Sequence, residues 1–157
     1  ATEMRVVLDE ESVKVDGNYY PLPMGNIYIE DDEGAFPGDD YCDFVSVLLL
    51  WWTNELISFY WGAKTVKLRF MDEHYYIHLI HDGADDLEWC RANLGESTLR
   101  GTELTREIEF NLPKFTKSLA KAVNALLRNE TFVERMPEES AELQLAYGRL
   151  RQLLKQK

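Results

Sequence analysis

Asp43-Phe44-Val45-Ser46-Val47-Leu48-Leu49-Leu50-Trp51-Trp52 opens the most apolar stretch of the chain, which continues through Thr53-Asn54-Glu55 to Trp61 and stops at Gly62. Consecutive large apolar residues from Leu48 to Trp52 cannot share one stripe of a helix. A helix here is therefore apolar on nearly every side and must be covered nearly all round. A membrane span does not fit, because Ser46 and Thr53-Asn54-Glu55 leave far fewer than the roughly twenty uninterrupted apolar residues that a hydrocarbon core requires. The stretch predicts a central helix with sheet on one side and other elements on the other, and with at least one of the Trp51 and Trp52 rings buried. Asp43 is the expected N-cap, its carboxylate accepting a backbone N–H and meeting the positive end of the helix dipole. Gly62 is the expected stop.

Downstream, Thr65-Val66-Lys67-Leu68-Arg69-Phe70 alternates and Tyr75 to Ile80 is rich in aromatic and branched residues. Leu87-Glu88-Trp89-Cys90 alternates again after an Asp82-Gly83 turn. Such runs predict an antiparallel meander, with a fourth strand over Thr105 to Phe110. Asn111 then caps a helix with Pro113 in its first turn, and Leu112, Phe115, Leu119, Val123 and Leu126 recur at helical spacing. Pro137 opens a last helix, with Glu138 and Glu139 at its start, Lys155 and Lys157 near its end, and Leu143, Tyr147, Leu150 and Leu154 on one stripe. Upstream, Val13 to Tyr20 carries an Asp16-Gly17 turn between β-formers. It predicts a hairpin with a strand over residues 5–8 alongside, ended by Pro21 and Pro23. A chain of 157 residues with 45% apolar composition buries one full core. The expected fold is α+β, a single domain over residues 1–157 with an antiparallel β-sheet packed against about three α-helices.

Charge is spread unevenly along this fold. Residues 1–62 hold thirteen Asp and Glu against Arg5 and Lys14, a net of −11, whereas residues 63–157 hold fifteen acids and fifteen bases. Within this acidic N-terminal pole, Glu30, Asp31, Asp32, Glu33, Asp39, Asp40 and Asp43 crowd into residues 30–43. Like charges at this density repel, so the segment is expected to be an exposed acidic loop, either solvated or facing a basic surface. Phe36, between Gly34 and Pro37, is the apolar residue expected to anchor such a contact. The acidic balance argues against direct binding to nucleic acid or to anionic lipid, both of which need Lys and Arg clusters. It favours a basic protein partner, with Glu30, Asp31, Asp32, Glu33, Phe36, Asp39 and Asp40 as partner-binding residues and the chain itself a monomer or weak homodimer. The opening Ala1-Thr2-Glu3 lacks a positively charged leader, as expected of a cytoplasmic protein. Cys42 and Cys90 fit neither a disulfide framework nor a zinc pattern and are expected to be reduced, buried thiols.

Catalytic constellations are not evident. His74 and His78 would share one face of a strand and His81 the other, a spacing unlike the helical His-Glu-x-x-His pattern. No serine sits in a Gly-x-Ser-x-Gly turn, neither cysteine has a neighbouring base in sequence, and no Gly-rich phosphate loop occurs. Placing Gly34 or Gly38 at the sixth position of a calcium loop gives no alternating Asp/Asn ligands. No catalytic, cofactor-binding or metal-binding residues are nominated, and the chain is expected to be non-enzymatic. Two other classes stand beside this reading: a small-ligand or regulatory domain with a pocket among its aromatics, and a hydrolase using the His74/His78 strand region.

Two stretches together carry a resemblance: the Asp-Phe start of the Trp-Trp helix, Asp43 to Trp52, and the strand pair Val66-Lys67-Leu68-Arg69-Phe70-Met71-Asp72 leading into Tyr75-Tyr76-Ile77. The combination resembles small acidic bacterial immunity proteins encoded beside polymorphic or contact-dependent growth-inhibition toxins. The resemblance implies stoichiometric binding to, and blocking of, a cognate toxin domain inside the cell that makes it, and it assigns no residue roles. Nuclease toxins hold phosphates in basic clefts, which an acidic surface can occupy while steering rapid association.

Overall fold

The computed structural model describes residues 3–15, 22–81 and 88–155. The chain opens with β1 (Arg5–Leu8) and a short 3-10 turn (Glu10–Ser12), followed by β2 (Met24–Asp31), β3 (Gly34–Phe36) and β4 (Cys42–Phe44). β2 organises this first antiparallel sheet. Its alternation sends Gly25, Ile27, Ile29 and Asp31 inward. One edge pairs with β1, Val7 opposite Tyr28, while the other edge takes β3 at one end and β4 at the other. The expected hairpin across Asp16-Gly17 falls outside the described residues. The strand over residues 5–8 pairs with β2, and Lys14 bridges Met24. The exposed edge of β1 is shielded, because the Val6 N–H donates to Ser118 Oγ at 2.8 Å and is not left free to pair with another chain.

Helix α1 (Val45–Tyr60) follows. Trp52 is fully buried whereas Trp51 is 38% exposed, so Trp52 is the core tryptophan, its Nε1–H donating to the Arg69 carbonyl at 2.7 Å. Gly62, with φ of 115°, follows the helix where a left-handed residue was expected. The expected cap is corrected: Phe44, not Asp43, is the N-cap residue, with no side-chain cap bond. Pairing with Gly25 holds Asp43 in a strand. Its buried carboxylate accepts the N–H groups of Phe44 at 2.7 Å and Met71 at 3.0 Å, and the hydroxyl of Tyr41.

The second antiparallel sheet is the predicted meander, in the order β5 (Thr65–Arg69), β6 (Tyr75–Ile80), β7 (Trp89–Thr98), β8 (Gly101–Asn111). β7 and β8 run longer than expected and turn over Leu99-Arg100 into Gly101, whose φ is 120°. The Asp82-Gly83 turn lies outside the described residues. A bulge lies between Leu94 and Gly95. There a glycine is required, because a Cβ on Gly95 would sit 2.2 Å from the Tyr76 hydroxyl oxygen and 2.5 Å from the Glu103 carbonyl oxygen.

Three further helices complete the chain: α2 (Leu112–Leu127), α3 (Glu130–Arg135) and α4 (Pro137–Lys155). Asn111 caps α2 as expected, its side chain accepting from Lys114 N at 3.0 Å. α2 packs on β1, α1 packs on β5, and α4 lies across α1 and α2. The α+β class stands, with two antiparallel sheets and four helices among the described residues in place of one sheet and three helices. Both sheets contribute to one core. Phe36, Tyr41, Phe70 and Tyr75 meet edge to face where the sheets join, and Trp52 adds to Phe70, an arrangement favoured by the ring quadrupoles.

Candidate partner-binding surface

The acidic stretch folds as strand, tight turn and strand, and this divides its residues. Asp31 and Gly34 pair across Asp32-Glu33, with Gly34 at φ 131° and the Asp31 carboxylate accepting from Glu33 N at 2.8 Å. The other Asp31 oxygen accepts from Arg106 Nε of β8 at 3.0 Å, and Arg106 also donates to the Gly34 carbonyl at 3.1 Å. The Asp31 side chain is 0% exposed. Phe36 is 4% exposed and packs on Phe70 and Tyr75.

Two expectations are therefore corrected. Residues 30–43 are not an exposed acidic loop throughout, because inward alternation along β2 and β3 buries Asp31 and Phe36, and Asp43 is buried in β4. Phe36 is a core side chain and cannot anchor a partner in this conformation. Asp32, Glu33, Asp39 and Asp40 are exposed, and Glu30 is half-buried on the outer face of β2 beside Arg5, with which it forms an ion pair.

The surface that remains is centred on a residue absent from that set. Tyr28 lies on the outer face of β2, between two inward isoleucines. Burial pushes its hydroxyl pKa up, and the carboxylates of Glu30, Asp39 and Asp9 push it further, with Arg5 opposing them. The charges of three acids from separate segments thus act on one aromatic side chain. The strict alternation Ile27-Tyr28-Ile29 carried this signal, since a strand with two buried isoleucines must turn the tyrosine between them outward. Met24 and Cys42 are also exposed, so Cys42 is not the buried thiol expected, while Cys90 is; both are free.

Other chemistry is distributed elsewhere. His74 is exposed, with Nε2 3.5 Å from Glu96. His78 is half-buried on β6, and burial, then the Lys67 ammonium opposite, hold its pKa below the usual range. His81 stacks on Phe59 with ring centroids 3.6 Å apart and bonds the Phe59 carbonyl at 3.0 Å through Nε2. That leaves Nδ1 facing Cys90 Sγ at 3.6 Å, a thiol–imidazole pair that sequence separation concealed. Cys90 is 1% exposed, which places the thiol in the core. Among the described residues no three His, Cys, Asp or Glu side chains are gathered as metal ligands. A cleft of about 100 Å³, with Leu8, Val13 and Leu126 below a Glu10–Arg128 rim, is smaller than the roughly 300 Å³ at which small-molecule sites begin. No helix among the described residues is long and apolar enough to cross a membrane.

No known protein family, curated protein or solved structure matches the chain.

Proposed function

We propose that the protein is a non-enzymatic binding module that engages a basic partner through the outer face of its first sheet. The fuller form of this reading is an immunity protein that occludes the basic active-site cleft of a nuclease-type toxin domain. The observation that supports it is that Glu30 shares the outer face of β2 with Tyr28 and that the charges of Asp9 and Asp39 also act on Tyr28, with the exposed Asp32, Glu33 and Asp40 in the same acidic stretch. An aromatic ring with acids around it suits an Arg or Lys side chain of a partner, by ion pairing and by attraction to the ring face. Exposed carboxylates around it steer a basic partner and speed encounter.

The test uses the C-terminal domain of a secreted protein encoded immediately upstream of this gene. Tight binding is expected, with Tyr28→Ala raising the off-rate and reversal of Asp32, Asp39 and Asp40 to Lys lowering the on-rate. Failure of every basic domain encoded beside the gene to bind would remove the immunity reading.

A further inference from the structure

The outward stripe of α4 is its own complement when reversed, and we infer that it is a homodimer interface, with two copies packing their α4 helices antiparallel about Leu145. The inward side of the helix is occupied by Ser140, Leu143, Ala146, Leu150 and Leu153. On the opposite side Leu145 is 69% exposed, a large apolar side chain left uncovered at the middle of the stripe. Ala141 precedes it and Gly148 follows it, both exposed. On the same side Glu142 lies toward the N-terminal end and Arg149 toward the C-terminal end. A two-fold axis through Leu145 brings Ala141 against Gly148 of the second copy and Glu142 against Arg149, each contact occurring twice as an isologous interface requires.

Two features of α4 lack a cause inside a single copy. The helix dipole accounts for acids at the start and bases at the end, but not for an uncovered Leu145 between them. A glycine inside a helix costs stability relative to alanine, yet a Cβ on Gly148 would meet nothing within 4 Å. Nothing in the copy that carries it requires a glycine there. Close approach of a second helix does, as small residues opposite one another let two backbones come together. Glu142 and Arg149 form no ion pair among the described residues, so both are free for the second copy, whereas Arg151 lies on the flank of the helix, 5.9 Å over the Tyr147 ring. An occupant of other chemistry would have to reproduce this antisymmetric order of acid, apolar residue and base; a second α4 does so by construction.

Sedimentation velocity, run with reductant because Cys42 is exposed, tests this up to about 0.5 mM protein, since one helix face lies below the roughly 1,000 Å² of a stable interface and gives a weak dimer. The wild-type chain is expected to dimerise reversibly at about 0.1 M salt and less at about 1 M, where the Debye length falls from about 10 to about 3 Å. Leu145→Glu is expected to abolish the dimer. Glu142→Arg alone and Arg149→Glu alone each weaken it by about tenfold or more, and the double variant Glu142→Arg/Arg149→Glu restores it, because each reversed pair is again complementary. Gly148→Gln raises the melting temperature of the dilute protein and weakens the dimer. A wild-type chain that stays monomeric across this range, or a Leu145→Glu chain that associates as the wild type does, overturns the proposal. So does a double reversal no stronger than the single ones. None of these readouts involves the outer face of the first sheet, so the proposed function and this interface stand or fall separately.

Discussion

The two sheets have the same number of strands and the same antiparallel sense, yet they are assembled by different rules. In the second sheet each strand pairs with the next along the chain, so β5 to β8 follow from local turns. In the first, β2 collects β1 from before it and both β3 and β4 from after it, two of them sharing one edge. A meander can be read strand by strand. A sheet gathered around one strand is settled only when distant segments meet. The same difference separates their charges: the balanced segment sends Arg106 across to neutralise Asp31, while Asp32, Asp39 and Asp40 of the N-terminal segment stay exposed.

The largest expected effect concerns the element that holds the edge of the second sheet. Trp52→Ala removes a fully buried ring and its bond to Arg69, and is expected to cost about 3 to 5 kcal/mol in denaturant unfolding. Trp51→Ala should cost less than about 1 kcal/mol, as a half-exposed site does. Equal losses at the two positions would contradict the orientation of α1.

Next in size is the bond between the sheets. Arg106→Ala leaves the Asp31 carboxylate buried without its counter-charge, which costs about 3 kcal/mol at the lower end for a broken buried pair, the guanidinium being partly solvated. A loss below about 1 kcal/mol would show that the sheets are joined by their aromatic contacts alone. Gly95→Ala drives a Cβ into Tyr76 and the Glu103 backbone at the bulge and should cost about 1 to 3 kcal/mol; tolerance there would mean that the long β7–β8 hairpin yields freely.

The legible parts of the sequence were those whose cause is local. Asn111-Leu112-Pro113 announced the start of α2, and the alternation in residues 65–70 and 75–80 announced β5 and β6, because capping and period-two patterning act within a few residues. The acidic run misled, since composition alone made Asp31 and Phe36 look solvated. Their burial depends on Arg106, seventy-five residues away from Asp31, and on Phe70 and Tyr75, which no local pattern ties to them. The Asp43 cap failed for the same reason: its carboxylate serves Met71, and a cap signal cannot reveal a competing distant donor. α3, six residues long, is too short to show a helical period. Tyr28 is legible too, its outward direction following from the isoleucines on either side.

A smaller effect distinguishes the sheets by pH. The imidazole of His78 has its pKa lowered in the fold, so as pH falls below about 6.5 the unfolded chain takes the proton first. Its contribution to stability is fully present above that value and is lost as pH falls below it. His78→Gln should flatten the stability profile between about pH 7 and 5; an unchanged slope would show that His78 does not carry that dependence.

The central claim is that the exposed acids of the first sheet, and not its buried ones, meet a basic partner. Reversal of Asp32, Asp39 and Asp40 to Lys spares Asp31 and Glu33, both of which pair with Arg106, so folding should be unchanged or slightly improved as self-repulsion falls. The decisive measurement is the association rate of this triple variant and of the wild type with the upstream-encoded basic domain, at about 0.1 M and about 1 M salt. The account predicts a slower on-rate for the variant and a flatter salt dependence. An on-rate equal to that of the wild type, with undiminished sensitivity to salt, would contradict it.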